Sequence, residues 1–99
     1  MIKKNFKKLL EEIIQQTDPK NDRVILTDQC YILIIRHDKK ENIYHVYDIL
    51  INDDKFDIDY RRTLKRPQYF EEITASYTSN VELETIHDVL EYIFNWKEN

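Results

Sequence analysis

From residue 2 to residue 16 the apolar side chains Ile2, Phe6, Leu9, Leu10, Ile13 and Ile14 recur at the steps of one α-helical stripe, so a first amphipathic helix is expected over Ile2–Gln16. Thr17-Asp18-Pro19 should end it, because the residue before a proline is driven out of helical angles. The next segments are shorter and β-branched. Arg23–Asp28 reads as a strand, and Cys30–His37 reads as a central strand with apolar residues on both faces: Tyr31, Leu33 and Ile35 on one, Ile32 and Ile34 on the other. Asp38-Lys39-Lys40-Glu41-Asn42 makes a turn in which Asn42 or Asp38 must supply the backbone angles that glycine usually supplies. Ile43–Asn52 follows as a long strand with Ile43, His45, Tyr47, Ile49 and Ile51 on one side and Tyr44, Val46, Asp48 and Leu50 on the other.

Phe56-Asp57-Ile58-Asp59-Tyr60 alternates strictly, placing its apolar residues to one side and two carboxylates to the other. Arg61–Pro67 reads as a basic connection. Tyr69–Thr78 fits either a helix, through Tyr69, Phe70, Ile73 and Tyr77, or a strand, and a strand over about Glu72–Thr78 is favoured because Thr, Ser and Tyr suit a pleated surface. Ser79-Asn80-Val81-Glu82 has the form of a capping box and predicts the start of a last helix with Leu83, Ile86, Val89, Leu90, Ile93 and Phe94 as its buried stripe. The pattern predicts one α+β domain over residues 1–99. An N-terminal helix, an antiparallel meander sheet of four to five strands and a C-terminal helix follow one another, with both helices on one sheet face. The opposite face, apolar along Tyr31–Ile35 and bearing tyrosines, is then a candidate partner surface or homodimer interface unless the basic connection or the Tyr69 region folds over it.

Composition narrows the chemistry. The 99 residues contain no glycine, where average usage of about 7% would supply several. Glycine-dependent phosphate loops, dinucleotide fingerprints and nucleophile elbows are excluded with it. The abundance of Ile, Lys, Asn and Tyr suits an AT-rich genome, pointing to a low-GC bacterium or a phage or plasmid living in one. No apolar run is long enough to span a bilayer as a helix, and no signal-peptide pattern opens the chain, so a cytoplasmic address without membrane contact is expected. A lone Cys30 cannot form an internal disulfide and is expected as a core residue. His37, His45 and His87 are scattered without zinc spacing or a nearby nucleophile. Asp53-Asp54-Lys55 contains an Asp-x-Lys pair like one half of a metal-dependent nuclease site, with Asp28 or Asp38 as a distant carboxylate, but it falls in a turn rather than on a strand. No catalytic residue, cofactor or metal is expected.

Charge lies in blocks that the net value of −4 conceals. Ile51–Tyr60 holds four Asp against one Lys, Arg61–Pro67 holds four basic residues, and Val81–Asn99 holds five acids against one Lys. Asp53, Asp54, Asp57 and Asp59, with Glu82, Glu84, Asp88 and Glu91 placed on the last helix, could imitate a polyanion: residues two apart on a strand stand ~6.8 Å apart on one face. The competing reading takes Arg61, Arg62, Lys65 and Arg66, flanked by Tyr60, Tyr69 and Phe70, as a nucleic-acid grip.

A helix, a strand reading Ile32-Leu33-Ile34-Ile35-Arg36, a polar turn, a strand opening Ile43-Tyr44 and an acidic closing helix resemble the build of small phage-encoded anti-CRISPR proteins, in particular acidic ones that imitate DNA. The resemblance implies a protein without catalytic residues that blocks the nucleic-acid channel of a CRISPR effector through carboxylates. This chain differs in being only mildly acidic and in carrying the Arg61–Arg66 block. The expected function is a non-enzymatic inhibitor of a host nucleic-acid enzyme. Its contact set would be Asp53, Asp54, Asp57, Asp59, Glu82, Glu84, Asp88 and Glu91, with Tyr44, Tyr47 and Tyr60 as aromatic anchors. The alternative is a small nucleic-acid-binding or regulatory protein using Arg61, Arg62, Lys65 and Arg66.

Overall fold

The computed structural model describes residues 4–28, 31–52, 55–67 and 77–94. Helix α1, Lys4–Gln16, turns Phe6, Leu9 and Ile13 into the interior, while Ile14 at the edge of the expected stripe stays exposed. Its last turn closes through Thr17, whose N–H donates to Ile13 O and whose hydroxyl donates to Ile14 O, both at 3.0 Å. Beyond Pro19 the chain reverses around two aspartates. Asp18 N donates to Asp22 Oδ2 at 2.9 Å, and Asp22 N donates back to Asp18 O at 2.8 Å. This is the local hydrogen bonding through which aspartate builds turns that lack glycine.

The sheet is a five-stranded antiparallel meander in chain order: β1 Asp22–Asp28, β2 Tyr31–Asp38, β3 Ile43–Asn52, β4 Lys55–Thr63 and β5 Tyr77–Leu83. Its register slips once, between Leu26 and Asp28 at the end of edge strand β1. In the β2–β3 turn both expected residues act, by different means. Asn42 adopts the left-handed region at φ 55°, and Asp38 Oδ1 accepts from Lys40 N and Glu41 N at 3.1 and 3.3 Å. Helix α2, Ile86–Phe94, completes an α+β fold, and none of the described helices is long and apolar enough to cross a membrane.

Both helices pack on one sheet face. Ile32 and Ile34 of β2, Tyr47, Ile49 and Ile51 of β3, and Phe56 and Ile58 of β4 meet Phe6, Leu9 and Ile13 of α1 and Val89 and Ile93 of α2 in one cluster. Each fully buried Ile in it contributes roughly 1.5–3 kcal/mol by leaving water. Arg36 ties this layer together from the sheet. Its Nε lies 3.2 Å from Asp22 Oδ1, its Nη1 donates to Ile93 O at 2.8 Å in the last turn of α2, and its guanidinium stands 4.9 Å from the Phe94 ring centre. Since α2 has no basic residue of its own in that turn, the cation that its C-terminal dipole favours comes from β2.

The structure corrects some of these expectations. Ser79-Asn80-Val81-Glu82 does not cap a helix; it lies within β5 and pairs with Tyr60, Asp59, Ile58 and Asp57 of β4. The cap lies further on, where Thr85 Oγ1 accepts from Asp88 N at 3.0 Å and Thr85 O accepts from Val89 N at 3.1 Å. Of the strand expected over Glu72–Thr78, only Tyr77 and Thr78 are described, and they open β5. Arg61 and Arg62 belong to β4 rather than to a connection. Finally, the second sheet face is not open across β1–β3. Leu33, Ile35 and Val46 are buried there with Ile25 and Tyr44 packed against them, and the chain returns over this face at Arg66, whose guanidinium lies 5.8 Å from the Tyr44 ring centre. Of the two alternatives for this face, an open partner surface or one covered by the basic connection, the covered one holds over those strands.

Candidate functional site

Strand alternation sorts the polar residues of β3, β4 and β5 onto two faces, and the register decides which become neighbours. On the face away from the helices, Asp48 of β3 stands directly opposite Asp59 of β4, and Asp57 of β4 stands directly opposite Glu82 of β5. Asp57 and Asp59 flank Asn80 of β5, whose Nδ2 donates to Oδ1 of each carboxylate at 2.7 Å. The amide holds the two acids in one file along the strand. Cations of β4 share the face: Lys55 Nζ lies 3.3 Å from Glu82 Oε1, both well exposed, and Arg61 partly offsets the charge around Asp48.

Asp48 is half-buried, and its pKa is raised, first by loss of water and then by the neighbouring Asp59, with Arg61 opposing and Asp57 adding a smaller push. Like charges directly across an antiparallel pair disfavour folding. The sheet carries two such pairs side by side on one face.

The other residues of the expected contact set are distributed differently. Glu82 is on β5 and Glu84 lies in the connection to α2, so neither is on the last helix; both are exposed. Asp88 and Glu91 are on α2, which covers the opposite sheet face, and Glu91 Oε2 lies 3.4 Å from His87 Nε2. One flat partner surface cannot touch these and the Asp57–Asp59 file together. Asp53 and Asp54 lie outside the described residues, as do Tyr69, Phe70 and Cys30.

The tyrosines also divide. Tyr47 is buried in the main core, edge-on to Tyr92 at 5.8 Å and tilted against Tyr60 at 5.2 Å, and burial drives its hydroxyl pKa well above the ordinary value. It is a core residue rather than an anchor. Tyr60 packs against the same core and shares a 2.6 Å hydrogen bond with His45 Nδ1. Tyr44 alone of the three lies on the acidic side of the sheet, stacked on His37 with ring centres 4.3 Å apart.

The basic block comes apart by the same alternation. Arg61, opposite Val46, shares the face of Asp48, whereas Arg62, opposite His45, shares the face of the helices. Lys65 and Arg66 follow in the connection beyond β4, both exposed. The four cations do not form one continuous patch.

His45 is flanked across the ladder by Arg36 of β2 and Arg62 of β4, and it stacks on Tyr60. Burial lowers its pKa, both arginines lower it further, and Asp38 opposes them. Among the described residues no group of three or more His, Cys, Asp or Glu side chains is arranged to hold a metal ion.

Sequence reasoning missed Asp48. The alternation of Ile43–Asn52 places it opposite to His45 and Tyr47, but only the β3–β4 register sets it beside Asp59. Comparison with known protein families, with curated proteins and with solved structures finds no match for this chain.

Proposed function

We propose that the chain is a protein-binding inhibitor, of the kind a phage or mobile element directs at its host, that occupies the nucleic-acid groove of a host enzyme through the carboxylate face of β3, β4 and β5. One observation carries the reading: Asp48 faces Asp59 and Asp57 faces Glu82, two like-charge cross-strand pairs set side by side. Folding alone disfavours that arrangement, and features that work against folding tend to mark sites of function. A groove built for phosphates supplies Lys and Arg side chains at successive backbone positions. The Asp57–Asp59 file, held in place by Asn80, offers such a groove carboxylates whose ordering precedes binding.

The reading is tested by immobilising the full chain and passing over it a lysate of a low-GC bacterium at low and at physiological salt. Retention of a nucleic-acid enzyme, its displacement by single-stranded DNA and its loss in an Asp57→Asn, Asp59→Asn variant are the expected results. Failure to retain any nucleic-acid enzyme at either salt, or retention indifferent to both the DNA and the variant, overturns the reading.

A further inference from the structure

A cleft of about 210 Å³ opens where the α1–β1 connection, the neighbouring ends of β1, β2 and β3, and the connection beyond β4 come together. Lys20, Asn21, Arg23, His37, Tyr44 and Arg66 are among the residues lining it. We propose that this cleft binds a phosphoryl group, and that it does so independently of the acidic face.

The argument begins with charge. Lys20, Arg23 and Arg66 arrive from separate segments of the chain, and among the described residues none of them forms an ion pair. Asp22 also lines the cleft, but its carboxylate, only 2% exposed, is taken by Arg36 Nε and by Asp18 N. Asp18 remains as a local counter-charge to Lys20. Its own oxygens accept from Lys20 N at 3.0 Å and from Asn21 Nδ2 at 2.7 Å, and these bonds keep its pKa low and the group ionised. That leaves an excess of positive charge around a concavity, which favours an anion. Two guanidinium forks and an ammonium suit the oxygens of a phosphate ester better than the single negative charge of a carboxylate.

The walls are also fixed before a ligand arrives. Tyr44 contacts two lining groups: it is stacked on His37 with the planes 9° apart, and the Arg66 guanidinium stands 5.8 Å from its ring centre. His37 Nε2 is held 3.1 Å from Asn42 Oδ1, and His37 N donates to Asn21 O at 2.9 Å. With Tyr44 already engaged by both, the ring positions donors rather than offering a plane for a base. Asn21 is held in the same wall by its Nδ2, which donates to Asp18 Oδ2 at 2.7 Å. The volume is below the ~300 Å³ at which sites for drug-sized ligands begin, so the cleft suits a phosphoryl group with the first atoms of its ester.

The test titrates the full chain with inorganic phosphate, ribose 5-phosphate and a short oligodeoxythymidylate at constant ionic strength, read by calorimetry and by phosphorus NMR line broadening. Saturable binding is expected for ribose 5-phosphate and, more weakly, for inorganic phosphate, with Arg23→Gln and Arg66→Gln each weakening it at least tenfold and Arg61→Gln leaving it unchanged. If the oligonucleotide binds more tightly than ribose 5-phosphate with the same dependence on Arg23 and Arg66, the phosphoryl group belongs to a nucleic-acid backbone; if it binds no better, the ligand is a small phosphate ester. Absence of saturable binding for all three probes overturns the proposal. So does binding that neither the Arg23 nor the Arg66 variant weakens while circular dichroism confirms that both are folded.

Discussion

Replacing Arg36 by methionine keeps an apolar stem of similar length and removes a polar link among β1, β2 and α2. The Asp22 carboxylate, 2% exposed, then retains Asp18 N as its remaining described partner. Breaking a buried ion pair from one side costs about 3–5 kcal/mol, and the partial exposure of Arg36 at 19% places this pair at the lower end, near 3. Loss of the 2.8 Å bond to Ile93 O adds about 1 kcal/mol, and loss of the contact with Phe94 adds about 0.5. The expected destabilisation is about 4.5 kcal/mol, a large share of the ~5–15 kcal/mol that holds a domain together. In a chain of this size it lowers Tm by more than about 15 °C. Urea unfolding followed by circular dichroism measures it, with an unchanged m-value as the sign that the denatured state is unaffected. The companion variant Asp22→Asn, Arg36→Met removes both charges and should be less destabilised than the two single variants summed, by about 2 kcal/mol. A loss below about 1 kcal/mol for Arg36→Met, or single-site effects that add within about 0.5 kcal/mol, would refute the reasoning.

Three further outcomes are expected. Because the pKa of His45 is lowered in the folded protein, the unfolded chain takes up its proton first, so stability falls as pH drops through about 6.5; His45→Gln should flatten this part of a urea-midpoint profile. Asp48 has the opposite relation: its raised pKa means that its ionised form opposes folding, so in a thermal melt Asp48→Asn should raise Tm at pH 7, with the gain shrinking as pH falls from neutral and gone below about pH 4, where the carboxyl is protonated folded and unfolded alike. Thr85→Ala should cost about 1 kcal/mol through loss of the α2 cap, whereas Ser79→Ala should stay within about 0.5 kcal/mol, both read from urea midpoints.

Local pattern carried the elements whose information is local. The three-and-four spacing of Phe6, Leu9 and Ile13, the two-sided apolar run of β2 and the alternation of Phe56–Tyr60 each specify an element and its buried side without reference to the rest of the chain. The absence of glycine even identified Asn42 and Asp38 as the residues of the β2–β3 turn. The Ser79–Glu82 box misled because capping signatures compete with alternation. Val81 and Leu83 pack against the core while Asn80 and Glu82 stay exposed, and the ladder to β4 satisfies along a whole strand the backbone groups that a cap would satisfy only at a helix end.

The site belongs to the other kind of information. The sequence determined that Asp57 and Asp59 share one side of a strand, since side-chain direction follows from a period of two. Tertiary structure decided that Asp48 and Glu82 stand beside them while Asp88 and Glu91 are carried to the far layer. It also decided that Arg61 and Arg62 part to opposite faces, and that Lys20, Arg23 and Arg66 meet in one cleft. The physical reason is register. A strand's own pattern says which way a side chain points, but burying Ile49 against Ile58 and Ile58 against Val81 fixes the offset between strands, and that offset brings distant charges together.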